Sequence, residues 1–293
     1  MKIEPLNITQ TNYKKDTIVS FDGNKLELPL YTVCRTRYNE NFHVFTNDSI
    51  IGTSIKLYGE YTELEIELLK NFLNKDSVVY DVGANIGYHT IAFSKLAKHV
   101  YAFEPNKKLF ECLKKNVTET NTELFNVAIS SKNGKLFIED FDDNKSDNYG
   151  ELHISDSGQE CLSLALDKID DIYAPDIIKI DVEGHEYEVF LGALETITEY
   201  KPIIFYENMH CKDADKIYDM LKQLNYRIYW YPCPNYNPNN YYKEVRNVFG
   251  NGGVVNCLAL PEKYPKVSNL VECISRDDTI QQAVQRYQDD NKK

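Results

Sequence analysis

The chain has no apolar run approaching the ~20 residues that a membrane-crossing helix needs, so no helical span is expected. Its opening, Met1 to Lys15, holds no hydrophobic core and does not read as a secretory leader. Positive charge is also scarce: 33 Lys and Arg stand against 45 Asp and Glu, a formal net charge of −12. Phosphate binding draws on clustered cations, so a large non-specific nucleic-acid surface is not expected. A small ligand, uncharged or cationic, is the easier partner. The seven cysteines (Cys34, Cys112, Cys161, Cys211, Cys233, Cys257 and Cys273) are odd in number, scattered and never spaced C-x-x-C. That removes a zinc or disulfide framework and predicts reduced core thiols in a cytoplasmic protein.

What is present suits a globular α/β protein. Hydrophobic residues make up 42% and charged residues 27% of 293 positions, enough to bury a substantial core. The expected division is an N-terminal β-rich extension over 1–61, a main domain over 62–261 and a C-terminal helical tail over 262–293.

The organising stretch is Val78 to Pro105. The run Val78-Val79-Tyr80 reads as a buried parallel strand ending at Asp81. Gly83 and Gly87 then supply the positions that a tight strand-to-helix turn needs. A second strand, His99 to Phe103, ends at Glu104, an acid placed about 20 residues on, where it can accept hydrogen bonds from ribose hydroxyls.

Elsewhere the pattern alternates strand and helix, predicting a mainly parallel sheet with helices on both faces. Asp22-Gly23-Asn24 signals a hairpin within Thr17 to Val33, and Ile50 to Tyr58 reads as a strand. Thr62 with Glu65 reads as a capping box opening a helix. Further expectations are a helix Asn106 to Val117, strands Leu124 to Ile129, Lys135 to Glu139, Asp176 to Asp181 and Pro202 to Tyr206, a helix Glu186 to Tyr200, and a helix Asp213 to Asn225. Strands Tyr226 to Tyr231 and Val254 to Leu260 complete the set. The polar stretch Asp140 to Gly158 reads as a mobile surface loop, and Pro232 to Tyr242 as an irregular loop at the sheet's carboxyl edge.

In an open α/β sheet, ligands sit outside the carboxyl ends of the strands. Four expected strand ends carry acids: Asp81, Glu104, Asp181 and Glu207. An edge this acidic calls for a cationic ligand or a metal to offset repulsion. The dinucleotide fingerprint G-x-G-x-x-G fails, because Asn85 and Tyr88 stand where its later glycines belong, which disfavours a nicotinamide-dependent oxidoreductase. What remains, D-x-G-x-N-x-G, suits a nucleoside with a positive centre, such as S-adenosylmethionine.

The blocks DVGANIGYHT, AFEPN, IIKIDVEGHEYEVFLGA and PIIFYEN, in this order and spacing, resemble the FkbM-type methyltransferases, a branch of the class I S-adenosylmethionine-dependent fold. The resemblance covers roughly Val78 to Pro261. It implies a Rossmann-like, mostly parallel seven-stranded sheet with helices on both faces, to which the N-terminal hairpin and helix are an extension. It also implies an enzyme methylating an oxygen, on a sugar, glycan or related small molecule. Carried across, Asp81, Gly83, Ala84, Asn85 and Gly87 form the methionine-side loop and Glu104 holds the ribose. Asn126 and Ala128 lie near the adenine, and Asp181 and the Glu183-Gly184 turn lie near the methyl group.

Methyl transfer is an in-line displacement, so alignment is the main contribution. A hydroxyl acceptor must also lose a proton, and two routes are open. In one, a base takes it: His185, His210, Asp181, Glu183 or Glu207. In the other, Asp181, Glu207 and Asn208 hold a Mg2+-like ion that lowers the pKa of the hydroxyl, an arrangement resembling the catechol-type O-methyltransferases. His43, His89, His99 and His153 read as structural or exposed. A non-catalytic nucleoside-binding module of the same fold is the competing function. Oligomeric state is open.

Overall fold

In a computed structural model of the chain, residues 29–209 and 211–290 are described, together with the backbone of two short strands at Ser20–Phe21 and Asn24–Lys25. These two strands pair antiparallel, Phe21 opposite Asn24, as the Asp22-Gly23-Asn24 signal requires. His210 lies outside the described residues.

Runs of β-branched and aromatic residues build the main sheet. Its strands in chain order are β1 (Val78–Val82), β2 (His99–Phe103), β3 (Thr122–Phe125), β4 (Ile177–Ile180), β5 (Ile203–Glu207), β6 (Tyr226–Pro234), β7 (Gly253–Pro261) and β8 (Val271–Glu272). They lie in the order β8-β6-β7-β5-β4-β1-β2-β3. The five strands from β5 to β3 are parallel, and β7 inserts antiparallel between β5 and β6. The fold is therefore the mixed α/β, mostly parallel sheet expected, with one correction: eight strands, not seven. The additional strand, β8, is two residues long and borrows its pairing from Tyr229 and Trp230, so it leaves no periodic signal of its own.

Alternate residues of β1 face opposite layers. Tyr80 and Val82 join Ile178, Ile204, Phe190 and Ile217 on one side, whereas Val79 joins Leu69, Phe93, Ile177 and Ile203 on the other. The helices are α1 (Ile51–Tyr58), α2 (Glu63–Leu69), α3 (Tyr88–Leu96), α4 (Lys107–Asn116), α5 (Glu186–Gly192), α6 (Leu194–Tyr200), α7 (Ala214–Gln223) and α8 (Ile280–Asp290). Of these, α5 to α8 supply the first of these layers, α2 and α3 the second, and α1 and α4 pack with Phe42 and Phe45 in a third cluster.

Several local expectations need correction. Ile50 to Tyr58 is a helix, because Ile51, Ile55 and Tyr58 are buried together at helical spacing and Gly59 ends the turn at φ 70°. Thr62 and Glu65 do not form a capping box; Thr62 has φ 41°, and both side chains turn to His89. Leu124 to Ile129 is broken: Thr122–Phe125 belongs to the main sheet, and Ala128–Ile129 pairs with Gln159–Leu164 in a separate four-stranded sheet. Glu186 to Tyr200 is two helices. Gly192 lies so close to Ser130 that a Cβ there would come 1.9 Å from the Ser130 carbonyl oxygen, and the chain bends at Ala193. The Pro232 to Tyr242 loop begins later than expected, since β6 runs through Pro232 to Pro234. The polar stretch 140–158 is packed down: Phe141 and Tyr149 are buried and stack at 4.0 Å, and Ile154–Ser155 pairs with Gly134–Ile138.

Candidate functional site

A cavity of about 210 Å³ opens at the carboxyl ends of β1, β2, β4 and β5. Its first wall is the turn after β1. Gly83 sits at φ 82° against β4, where a Cβ would fall 1.8 Å from the Asp181 carbonyl oxygen. Gly87 starts α3 at φ 91°, and its Cβ would collide with Leu113 and Val117 of α4. Between them Asn85 takes φ 51°, strained for a residue with a side chain. The strain is stabilised from β2: Glu104 Oε2 accepts the Asn85 N–H at 2.9 Å, while Oε1 accepts the Asn106 N–H at 2.8 Å. Burial raises the Glu104 pKa to about 7, against the lowering effect of those two N–H groups.

The second wall is the edge of β4 and β5. Asp181 Oδ2 accepts from Lys179 Nζ at 3.1 Å. Glu183 stands on the following turn at φ 51°, its carbonyl 2.7 Å from His153 Nδ1. Glu207 closes β5, and its Oε2 is buried with no hydrogen-bond partner among the described residues. Burial, then the charge of Asp181, pushes Glu183 up to about 8 and Glu207 up to about 10. His185 also faces the cavity, with Nε2 3.0 Å from Ser130 Oγ, and burial lowers its pKa.

Of the residues expected at the site, Gly83, Ala84, Asn85, Glu104, Ala128, Asp181, Glu183, His185 and Glu207 line this cavity. Four do not. Asp81 is wholly buried behind it, accepting from Thr90 Oγ1 at 2.6 Å. Gly87 acts through packing. Asn126 spends its amide on the carbonyls of Glu104 and Pro105, while its neighbours Val127 and Ala128 reach the cavity. Asn208 donates to Cys257 Sγ at 3.5 Å, away from the wall.

Other residues of the site were not anticipated. Lys179 is buried between two acids, 3.1 Å from Asp181 and 3.7 Å from Asp81. Burial alone would lower its pKa, but Asp181, Asp81 and Glu65 outweigh burial and the net shift is upward. A signal existed: a lysine inside the apolar run IIKI, two residues before Asp181, shares its face of the strand. His89 Nε2 lies 3.2 Å from Glu65 Oε2 and 3.3 Å from Thr62 Oγ1, and Glu65 Oε1 accepts from Asn256 at 2.9 Å. Tyr61 lines the same end; burial, then Asp181 and Glu65, raises its pKa. These contacts join residues far apart in sequence, which no local pattern encodes.

A glycine turn tied to a strand-end acid, beside a cluster of carboxylates on a 3-2-1-4-5 sheet, defines an α/β protein of the class I methyltransferase fold. The chain belongs to the FkbM methyltransferase domain family, whose model matches residues 81–228. It is 30% identical over 162 residues to the hexuronic acid methyltransferase AglP of Haloferax volcanii, a match covering 52% of this chain and 65% of that protein. Solved structures with some likeness include a methyltransferase FkbM from Methylobacillus flagellatus (16% identical, TM-score 0.41, covering 63% of this chain and 43% of that one). Another is M. jannaschii TYW2 in complex with AdoMet (15% identical, TM-score 0.43, covering 80% and 86%). With scores this low, the fold assignment rests on the strand order of the chain itself.

Proposed function

We propose that this protein transfers a methyl group from S-adenosylmethionine to a hydroxyl oxygen of a sugar or glycan acceptor. The observation that carries the nucleoside half is the Glu104–Asn85 link, which holds an acid and a glycine turn together on one cavity wall. The residues fit the cofactor. Gly83, Ala84 and Asn85 would face its amino-acid part, Glu104 its ribose hydroxyls, and Val127 and Ala128 its base. When bound, the cofactor supplies an electrophilic methyl on a sulfonium. The chain's own residues then align the acceptor, which can recover roughly 7–11 kcal/mol of the barrier. They also take the hydroxyl proton, a role for the Asp181 carboxylate that adds about 10²–10⁴-fold; Glu183 and Glu207, raised to about 8 and about 10, share that role only once ionised. His185 and His210 remain secondary candidates.

The sugar class is supported by the name of the H. volcanii relative, at 30% identity. We take residues 62–261 as the transfer unit, with 1–61 and 262–293 as additions to it; the family match falls inside that unit. No helix among the described residues is long and apolar enough to cross a membrane. The acidic balance supports a small acceptor over a nucleic acid.

The test is a methyl-transfer assay against a panel of neutral, amino and uronic sugars, with the product located by mass spectrometry. Asp181→Asn is expected to keep cofactor binding and lose turnover. An Asp181→Asn variant that loses cofactor binding, or that keeps full turnover, would overturn the role assigned to Asp181.

A further inference from the structure

We propose that Asp181, Glu183 and Glu207 bind one hard divalent cation of the Mg2+ and Mn2+ class at the acceptor end of the cavity. One carboxylate oxygen from each lies within 4.8 Å of the others, a spread that a single ion with oxygen ligands can bridge. A second observation points to a ligand there. Glu207 is 5% exposed, lines the cavity wall, and leaves Oε2 without a hydrogen-bond partner among the described residues. A buried carboxylate oxygen with nothing to accept from is costly unless a cation meets it.

The local charge count supports a cation. Lys179 is the one lysine or arginine among the described residues that line the cavity, and it is committed to Asp81 and Asp181. Glu183 and Glu207 have no lysine or arginine ion-pair partner among the described residues. The donors are also rigidly placed. Asp181 follows β4, Glu207 ends β5, and the Glu183 turn is pinned through its carbonyl by His153. Glu183 is the third donor in place of Asn208, whose side-chain amide is turned to Cys257. The set is all oxygen, which favours Mg2+ or Mn2+ over thiolate-seeking metals.

Binding of the ion stands on this geometry alone; its part in orienting and acidifying an acceptor hydroxyl rests on the methyl-transfer reading. The test uses the full chain stripped with chelator. Mn2+ is titrated in, and free Mn2+ is followed by electron paramagnetic resonance, with and without S-adenosylhomocysteine. The expected result is one Mn2+ per chain, displaced by excess Mg2+, and weakened at least about tenfold by Glu183→Gln and by Glu207→Gln. Thermal stabilisation by S-adenosylhomocysteine checks that each variant is folded. In the wild-type protein, bound Mn2+ should also broaden the resonances of bound S-adenosylhomocysteine, which needs no variant. No binding at millimolar Mn2+, or binding that both substitutions leave unchanged, overturns the proposal. If Mn2+ binds as expected but S-adenosylhomocysteine does not, the methyl-transfer reading fails while the ion site stands.

Discussion

The carboxylate of Glu104 accepts the backbone N–H of Asn85 at 2.9 Å, so the acid that ends one strand holds the strained turn that follows its neighbour. This single bond joins the two halves of the proposed nucleoside site. Glu104→Ala removes it together with the proposed ribose contact. Hydrogen bonds to charged groups are worth about 1.5–3 kcal/mol, so affinity for S-adenosylhomocysteine should fall by roughly 10- to 150-fold. Isothermal titration of wild type and variant checks this, and an unchanged affinity would place the ribose elsewhere.

The same group sets a pH dependence. Its pKa is raised from 4.5 to about 7, chiefly by burial. Between these values the folded state holds a proton that the unfolded chain has released. The stability this contributes is full below pH 4.5 and is lost as pH rises through 7. Cofactor binding should run the opposite way, because the ionised carboxylate is the better acceptor. Affinity for S-adenosylhomocysteine should strengthen by up to about tenfold per pH unit below 7 and level off above it. Glu104→Gln should flatten that profile.

Gly83→Ala should be strongly destabilising. The residue sits at φ 82°, and a Cβ would meet the Asp181 carbonyl oxygen at 1.8 Å, with backbone on both sides of the clash. The left-handed conformation alone costs roughly 1–2 kcal/mol, and displacing β4 adds to it. Urea unfolding should show a loss exceeding about 2 kcal/mol; a variant as stable as wild type would mean that the turn relaxes away from β4.

Lys179→Met should leave Asp81 a buried charge without compensation. Both side chains are almost wholly buried, and Asp81 Oδ1 has no hydrogen-bond partner among the described residues. Removing one partner of such a pair costs about 3–5 kcal/mol. Adding Asp81→Asn should restore part of that loss, and a double-mutant cycle in urea measures the coupling. Additive effects would mean the two side chains do not interact.

Much of the site's backbone was legible in the chain because strand ends and glycine turns are local signals. Asp81, Gly83 and Glu104 stood out from alternation and spacing alone, and the strand-helix alternation led to the parallel sheet. The side-chain partnerships were not legible. Asp81 looked like a ligand contact, but β4 brings Lys179 opposite it in register and leaves it behind the wall. Thr62 and Glu65 carried a capping pattern, yet tertiary packing gave both to His89. Phe141 and Tyr149 were hidden in a polar stretch, because two aromatics eight positions apart make no periodic signal but can stack once the loop folds back.

The central claim is tested most directly by thermal denaturation of the full chain with S-adenosylmethionine, S-adenosylhomocysteine and NADH in parallel. At a hundredfold excess over the dissociation constant, either adenosyl ligand should add about 2.7 kcal/mol of stability, while NADH adds none. No shift with either adenosyl compound, and a clear shift with NADH, would contradict the account.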